Sequence, residues 1–333
     1  MLVSVIIPTK NRGHIIKETL DSILCQSYVN WECIIVDDRS SDNTVSVVSD
    51  YMKTDARFQF FARPKYKIKG ANSCRNIGFE KAKGEFINWF DSDDIMHPDF
   101  LKLKLEALVN NPSLDFCACV SSTFKTDYKL SEAINRPFVM DSINYVEDYL
   151  INGLYFYTPS PLWSYEFLKG KVLFDETLHR SQESDFHFRM LTHQPKYTYL
   201  NRVLFYIRTG IISISNEAPN SIIAQKSIFK YFDNVFNYLK NAQELKNRQK
   251  LLAYVFYRQA TNYYNINQLC KGFGERFNIF KSHEKYIKGY VSASDKLNKH
   301  IVKIYFGLFV LLFFNKGYKY FYFPQYDYTK KYD

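Results

Sequence analysis

The stretch Gly84-Glu-Phe-Ile-Asn-Trp-Phe-Asp-Ser-Asp-Asp94 passes from an apolar run directly into a group of carboxylates. A short run that is apolar throughout is typical of a strand buried on both faces. We therefore predict a strand over Phe86–Phe90 that ends at an acidic cluster. Alternation along an extended chain would put Asp91 and Asp93 on one face, with their carboxylates close together.

The same succession of an apolar run and a polar cluster occurs twice nearer the N-terminus. Leu2–Ile7 precedes Pro8-Thr-Lys-Asn-Arg12, and Cys33–Val36 precedes Asp37-Asp-Arg-Ser-Ser-Asp42. Segments with helical spacing separate the runs. Apolar strands that alternate with helices predict an α/β fold with an open, mostly parallel sheet. Ligands of such sheets bind beyond the carboxyl ends of the strands, so the three polar clusters mark the candidate site.

The composition divides the chain into two parts. Of 333 residues, 46% are hydrophobic and 23% are charged, which excludes wholesale disorder. Through Asn220 there are 25 basic and 27 acidic residues, whereas from Ser221 onward there are 19 and 7. A near-neutral body is thus followed by a basic, aromatic region. Such a region attracts an anionic partner, either a membrane surface or a nucleic acid.

The six cysteines show no metal-ligand spacing, and most lie in apolar stretches. This pattern indicates reduced, buried thiols and therefore a cytoplasmic protein. The N-terminal run has no basic segment and no cleavage site, and it reads as a strand rather than as a signal peptide.

The acidic cluster after the predicted strand is a candidate metal site. Two close carboxylates repel each other unless a cation lies between them. Mg²⁺ and Mn²⁺ bind one or two protein carboxylates together with substrate phosphates, so Asp91 and Asp93 are candidate ligands. The alternative is a solvated turn in which Asp94 caps the next helix. No glycine-rich phosphate loop is present, so Arg12 and Arg75 are the candidate cationic contacts to phosphate.

Four segments, Ser4–Arg12, Ile34–Thr44, Arg75–Gly78 and Gly84–Asp94, together resemble glycosyltransferase family 2. Members of that family are inverting, nucleotide-sugar-dependent enzymes with the GT-A fold. The resemblance covers about residues 1–215. It implies a GT-A-type sheet flanked by helices, with a nucleotide-sugar-binding half over residues 1–125. An acceptor-binding half that carries the catalytic base would span residues 126–219. The remaining residues, 220–333, have helical spacing and would form a basic, aromatic helical extension.

The resemblance also implies individual roles. Asp38 would accept a hydrogen bond from the uracil ring, Arg75 would contact the pyrophosphate or the base, and Asp93 would bind Mn²⁺ or Mg²⁺ directly. The donor-binding positions it implies are Pro8, Thr9, Arg12, Asp38, Arg75, Asp91 and Ser92, and the metal positions are Asp91 and Asp93.

The catalytic base of the family lies on an acidic motif at the start of a helix that ends in Arg. Here that motif is Ser181–Arg189, which places Glu183 at the base position. Asp185, two residues on, would point elsewhere on the helix. The alternative role for Glu183 is to stabilise the helix dipole. The neighbouring histidines are interpreted as structural or surface residues, with His179 and Arg180 also candidates for acceptor contacts.

The sequence departs from the family pattern at three places. Arg39 stands where a glycine commonly follows the Asp pair. Gln182-Glu183 replaces the usual Glu-Asp pair. Arg208-Thr209-Gly210 lacks the histidine of an Arg-x-His feature.

Ile304–Phe314 is an uncharged run of eleven residues with basic and aromatic flanks. As a helix it covers about 16 Å, whereas a bilayer core is about 30 Å thick. We therefore predict that residues 296–323 contact an anionic membrane surface without spanning the membrane. The alternatives are a buried docking helix or a contact in a homo-oligomer. Nucleic acid is disfavoured because the lysines flank an apolar run and line no polar groove.

Taken together, these features predict a metal-dependent glycosyltransferase for cell-surface glycans. It would move a sugar from a UDP sugar to a hydroxyl of a polysaccharide or lipid-linked glycan, at the cytoplasmic face of a membrane. The alternatives are a nucleotidyltransferase and a catalytically silent module that binds a nucleotide or glycan.

Overall fold

The computed structural model of the chain describes residues 1–125, 144–151, 153–210, 221–293, 300–320 and 324–326. These residues form two compact units. The first is drawn from Met1–Ser142, Phe156–Thr177 and Arg189–Ile211, and the second from Ile143–Tyr155, Leu178–Phe188 and Ile212–Asp333. Parts of the predicted acceptor half and of the predicted membrane-contact segment, including 296–299 and 321–323, lie outside the described residues.

Within the described residues, the first unit contains a mixed sheet of eight strands. The strands are β1 (Val3–Thr9), β2 (Trp31–Asp37), β3 (Phe58–Ala62), β4 (Phe86–Trp89), β5 (Ile95–Met96), β6 (Phe116–Phe124), β7 (Leu162–Ser164) and β8 (Tyr197–Arg208). Their order in the sheet is β3-β2-β1-β4-β7-β6-β8-β5. The pairs β1·β2, β2·β3, β1·β4 and β6·β8 are parallel, and β4·β7, β6·β7 and β5·β8 are antiparallel.

Helices flank the sheet in the first unit and make up most of the second. The first unit includes α1 (Ile16–Leu24), α2 (Thr44–Thr54), α3 (Ala71–Lys81), α4 (Phe100–Asn110) and α6 (Tyr165–Leu168). The second includes α5 (Tyr145–Ile151), α8 (Ile222–Asn241), α9 (Arg248–Leu269), α10 (Phe273–Ala293) and α11 (Ile301–Phe314), and α7 (Gln182–Leu191) has residues in both.

The centre of the sheet confirms the prediction drawn from the apolar runs. Every residue of β1 and β2 is buried. Two buried polar residues of these strands bond to each other, since the Ser4 hydroxyl donates to Glu32 Oε1 at 2.6 Å. Gly78 lets α3 approach β1 closely, because a Cβ at this position would lie 2.2 Å from Ile6 Cγ2. This packing brings Arg75, one turn earlier on α3, to the carboxyl end of the sheet.

One sequence-based expectation was wrong in detail. Asp91 and Asp93 lie in a turn rather than on a strand, because β4 ends at Trp89 and the Asp94 amide bonds back to the Asp91 carbonyl at 3.3 Å.

The long strand β8 has no counterpart among the apolar runs quoted from the sequence. Its register with β6 shifts between Leu200 and Val203, and the intervening residues 201 and 202 are exposed, which breaks the pattern of a buried strand.

Candidate active site

The carboxyl ends of β1, β2 and β4 lie side by side and carry the three polar clusters. Backbone hydrogen bonds continue past the strands, from the Asp38 amide to the Thr9 carbonyl and from the Phe90 amide to the Ile6 carbonyl. The sheet therefore brings these clusters to one edge, as the sequence predicts for a parallel arrangement.

Asp38 lies in a buried ion pair at the end of β2. One carboxylate oxygen accepts a hydrogen bond from Arg63 Nε, and the other lies 3.4 Å from Lys10 Nζ. Only 6% of each side chain of the Asp38–Arg63 pair is exposed. Arg63 also donates to the carbonyl oxygens of Pro64 and Lys67, which fixes its guanidinium in the loop after β3.

The turn that follows β2 explains the departure at Arg39. Asp37 accepts hydrogen bonds from the backbone amide and the hydroxyl of Ser40, which closes the turn. Arg39 sits inside it with φ of 61°, a left-handed conformation that favours glycine. Its side chain donates to the Arg63 carbonyl at 3.1 Å, so this residue supports the loop that holds Asp38.

Arg12 and Arg75 each meet one carboxylate of the acidic turn. Arg12 Nη2 lies 3.5 Å from Asp93 Oδ2, and Arg75 Nη2 lies 3.0 Å from Asp91 Oδ1. The Arg75 guanidinium also bonds to Asn72 Oδ1 at 3.1 Å and lies 5.1 Å from the centre of the Phe174 ring. Both arginines predicted to contact phosphate are therefore next to the predicted metal ligands.

The acidic turn is electrostatically strained. Burial raises the pKa of the Asp93 carboxyl, and the charge of Asp91 raises it further. Burial and the charges of both neighbouring aspartates hold the pKa of Asp94 well above its usual range. Asp94 does not cap the following helix, because its Oδ1 accepts the backbone amide of Arg208 at 3.0 Å.

The remaining predicted donor-binding residues line the same edge. Pro8 and Thr9 are buried at the end of β1, beside Val36 and Asp37 of β2. The Thr9 hydroxyl oxygen has no hydrogen-bond partner within the described part of the chain. Ser92 is buried in the acidic turn between the two candidate metal ligands.

Three residues were missed by sequence reasoning or given too little weight. Arg63 and Lys10 hold Asp38, and Arg208 holds the acidic turn through its backbone and through Nε, which lies 3.1 Å from the Asp93 carbonyl. The Arg208 side chain also pairs with Glu18 at 2.7 Å. Lys10 falls within a quoted motif, but no local pattern signals Arg63, which lies 25 residues after Asp38.

The predicted base Glu183 is in the second unit, near the start of α7. Its Oε1 accepts a hydrogen bond from the Tyr155 hydroxyl at 2.5 Å. Asp185 is fully buried and accepts a hydrogen bond from Asn234 Nδ2 at 2.9 Å, so it faces α8. The two acids thus point to different surroundings, in agreement with the expected helical geometry.

Of the histidines near α7, one is buried and two are exposed. His187 is buried against the Phe186 ring and lies 6.4 Å from the ring of Tyr149. His179 and His193 are exposed. The His179 amide donates to Ser227 Oγ at 2.9 Å.

Two features of the described residues bear on metals and membranes. No group of three or more His, Cys, Asp and Glu side chains in the described ranges could hold a metal ion. Among the helices described, none combines the length and the apolar character needed to cross a membrane.

Residues 4–166 match the family model for glycosyl transferase family 2. This segment, just under half of the chain, belongs to glycosyltransferase family 2. The match begins in β1 and ends just after β7, so it includes all the donor and metal positions inferred from sequence. One family relative is the UDP-Glc:alpha-D-GlcNAc-diphosphoundecaprenol beta-1,3-glucosyltransferase WfgD of Escherichia coli, 38% identical over 33% of this chain and 42% of that protein. The matched segments span only 29% to 43% of the length of the first three curated relatives.

Solved structures confirm the GT-A-like fold of this chain. S. aureus TarS 1-349 in complex with UDP-GlcNAc superposes with a TM-score of 0.66 at 18% identity, covering 99% of this chain and 92% of that one. The mannosyltransferase PcManGT from Pyrobaculum calidifontis, in complex with GDP-Man and Mn²⁺, gives a TM-score of 0.51 at 16% identity, covering 94% of this chain and 87% of that one. At these identities the likeness shows the shared fold.

Proposed function

We propose that this chain is a metal-dependent inverting glycosyltransferase that moves a sugar from a UDP sugar to a hydroxyl of a polysaccharide or lipid-linked glycan. The observation that carries the proposal is the grouping of Asp91 and Asp93 with Arg12 and Arg75 at the carboxyl ends of adjacent strands. Two carboxylates and two guanidiniums at this edge suit a diphosphate that binds together with a cation.

The buried Asp38 carboxylate supports uracil as the base. An ionised carboxylate is an acceptor only, and it has capacity for about four hydrogen bonds, so its bonds with Arg63 and Lys10 leave room for another donor. It would select a base that offers a ring N–H, as uracil does. The UDP-GlcNAc complex of TarS supports the same type of donor.

The residues of the acidic turn fit Mn²⁺ or Mg²⁺. Asp91 and Asp93 supply hard oxygen ligands. Burial and the charge of Asp91 raise the pKa of Asp93, so an added positive charge would stabilise its ionised form. Two protein carboxylates suffice where substrate phosphates complete the coordination. When bound, the metal would neutralise part of the charge that develops on the departing diphosphate.

Arg75 is held in position to share that charge. Asn72 and Asp91 bind its guanidinium, and Phe174 lies against it, so it is already oriented before the donor arrives. A preorganised cation at the leaving group lowers the barrier because little reorganisation is needed as the charge develops. Arg12, beside Asp93, would contribute in the same way from the β1 loop.

Glu183 would take the proton of the acceptor hydroxyl. As the acceptor oxygen bonds to the anomeric carbon, the bond from that carbon to the phosphate oxygen breaks, and its electron pair leaves with the diphosphate. Attack from the opposite side inverts the configuration. The hydrogen bond from Tyr155 orients the Glu183 carboxylate within the second unit.

A lipid-linked acceptor at the cytoplasmic face of a membrane completes the proposal. It is supported by the diphosphoundecaprenol acceptor in the name of the E. coli relative. The six cysteines are all free, which supports a reducing compartment.

The proposal is tested by incubating the chain with UDP-Glc, UDP-GlcNAc and GDP-Man, with and without Mn²⁺. We expect a UDP sugar to raise the free energy of unfolding by about 2.7 kcal/mol at 100 times its dissociation constant. We also expect Mn²⁺-dependent release of the nucleoside diphosphate. Release of a sugar 1-phosphate instead of the nucleoside diphosphate would identify a nucleotidyltransferase, because transfer of the nucleotidyl group breaks the bond between the two phosphates. Binding without turnover would identify a silent module.

The base assignment has its own test. Glu183→Gln should reduce turnover by roughly 10²–10⁴-fold while donor binding survives, because the neutral amide cannot take the proton. The matched control is Glu166→Gln, which makes the same change at an exposed residue that pairs with Lys169 on α6. Turnover of the Glu183 variant near that of the control would refute the assignment.

A further inference from the structure

Helix α11 presents one apolar face inward and another outward. Ile304, Leu308 and Leu311 are almost completely buried in the second unit. On the opposite side Val302 is 80% exposed and Phe309 52% exposed. The large apolar residues of α11 that remain exposed are Ile301, Val302, Tyr305, Phe306, Phe309, Phe313 and Phe314, and the spacing of most by three or four positions places them along one side.

Polar contacts hold α11 by its inner side and C-terminal end. Asn267 of α9 donates to the Leu311 carbonyl at 3.2 Å, and Arg276 of α10 donates to the Leu312 carbonyl at 3.1 Å. Asn315 ends the helix in a left-handed conformation and also bonds to Asn267. The inner face is thus anchored to the unit, which leaves the outer face directed away from it.

The exposed surface extends beyond the helix. The ring of Phe273 at the start of α10 lies 5.4 Å from that of Phe313, and Phe273 is itself 46% exposed. At the other end of this surface the ring of Tyr320 lies 5.1 Å from that of Phe306. The exposed aromatic residues of α11, together with Phe273 and the half-buried Tyr320, therefore form one apolar surface, which we call the outer aromatic surface.

The charges around the outer aromatic surface are all of one sign within residues 300–320. This segment has no Asp or Glu, and it contains the exposed residues Lys303, Lys316 and Lys319. A symmetric contact with a second copy would bring the same basic residues against each other. An anionic lipid surface complements them instead, since lysine ammonium groups reach phosphates while apolar side chains enter the interface.

We propose that the outer aromatic surface docks on an anionic lipid bilayer, with Phe306, Phe309 and Phe313 entering the headgroup region and the lysines of the segment binding lipid phosphates. This docking goes beyond glycosyl transfer and does not depend on it. Its partner is the surface of the membrane, so it requires no spanning segment.

The test is co-sedimentation of the full chain with phosphatidylcholine vesicles that contain or lack phosphatidylglycerol. Phe309→Glu combined with Phe313→Glu should reduce binding to the anionic vesicles by roughly tenfold or more, because two apolar side chains no longer enter the interface. The combination Phe309→Ser with Phe313→Ser removes the apolar groups without adding charge and should also weaken binding. Val172→Glu changes a residue of the first unit that is 77% exposed and should leave binding unchanged.

The contribution of the lysines to docking on the anionic bilayer is tested separately. Each of Lys316→Gln and Lys319→Gln should weaken binding to anionic vesicles by roughly fivefold, with no change on phosphatidylcholine alone. Equal binding of the parent chain to both kinds of vesicle would overturn the proposal, as would full binding by both phenylalanine variants.

Two further measurements separate membrane docking from self-association and from catalysis. If the phenylalanine variants turn an oligomer into a monomer in sedimentation velocity, and the parent does not bind vesicles, the surface is a contact between copies and the proposal is wrong. Mn²⁺-dependent hydrolysis of the UDP sugar in vesicle-free buffer should be the same in the parent and in both phenylalanine variants. Loss of vesicle binding with hydrolysis retained separates docking from the proposed chemistry.

Discussion

Each compact unit buries carboxylates, and the two units offer some of them different partners. In the first unit, Asp38 meets the guanidinium of Arg63. In the second unit, the partners described are neutral amides, since Asp185 accepts from Asn234 and Glu147 accepts from Asn247. A buried cation beside the sheet edge suits the diphosphate that the first unit is proposed to bind. The helical unit has a mostly neutral interior, and exposed lysines lie at its surface.

The largest effect is expected when the guanidinium that pairs with Asp38 is removed. Arg63→Gln should lower the free energy of unfolding by roughly 3–5 kcal/mol, because a buried carboxylate loses its main partner. Urea denaturation measures the change. The control is Arg39→Gln, the same substitution at an exposed neighbouring residue. Among the hydrogen bonds described, the Arg39 side chain donates only to the Arg63 carbonyl. Equal stability of the two variants would mean that the pair contributes nothing beyond a surface contact.

The acidic turn of the first unit is the next test, because burial and the neighbouring aspartates raise the pKa values of Asp93 and Asp94 in spite of the arginines nearby. Asp93→Asn should lower metal-dependent turnover by roughly 10²-fold, about 2.7 kcal/mol. In EDTA the same variant should be at least as stable as the parent, because burial and Asp91 disfavour the charged form of Asp93. Rates of diphosphate release over a Mn²⁺ titration and thermal melts measure the two effects.

Asp50→Asn, at an exposed residue that pairs with Lys53, is the matched control for Asp93→Asn. It should leave both turnover and the Mn²⁺ dependence unchanged. An Asp93 variant that keeps the parental Mn²⁺ dependence would contradict the metal assignment, whatever its stability.

The neutral interior of the second unit predicts a smaller, pH-dependent effect. Burial lowers the pKa of His283 to about 4, and its ring packs against Phe229 and Tyr263. Because the folded-state pKa is below the unfolded value near 6.5, the neutral form favours folding. This contribution is complete above about pH 6.5 and is lost as the pH falls towards 4, with about 2 kcal/mol already lost at about pH 5.

Denaturation curves of the parent and of His283→Gln, measured between about pH 4 and pH 7, test this effect. The difference between them should shrink as the pH falls, since only the parent must protonate a buried ring. His14→Gln alters an exposed histidine and should keep the parental pH dependence. A constant difference across the range would show that His283 does not titrate as expected.

Much of the first unit was predictable because the sequence patterns that indicate its strands are local. A strand buried on both faces is mostly apolar, and the polar residues after it lie at the sheet edge. This reasoning located β1, β2 and β4 and the clusters after them. It failed for β8, because the shift in register that exposes residues 201 and 202 depends on pairing with β6, about 80 residues earlier.

The sequence by itself determined the α/β pattern, the three polar strand ends and the basic, aromatic character of the C-terminal region. Only the tertiary structure decided that Arg63 neutralises Asp38, that Arg208 closes the acidic turn, and which side of α11 is exposed. Each depends on residues 25 or more positions apart in the chain. A local pattern records which residues can be buried or charged, whereas pairing across such distances is set by how strands and helices pack.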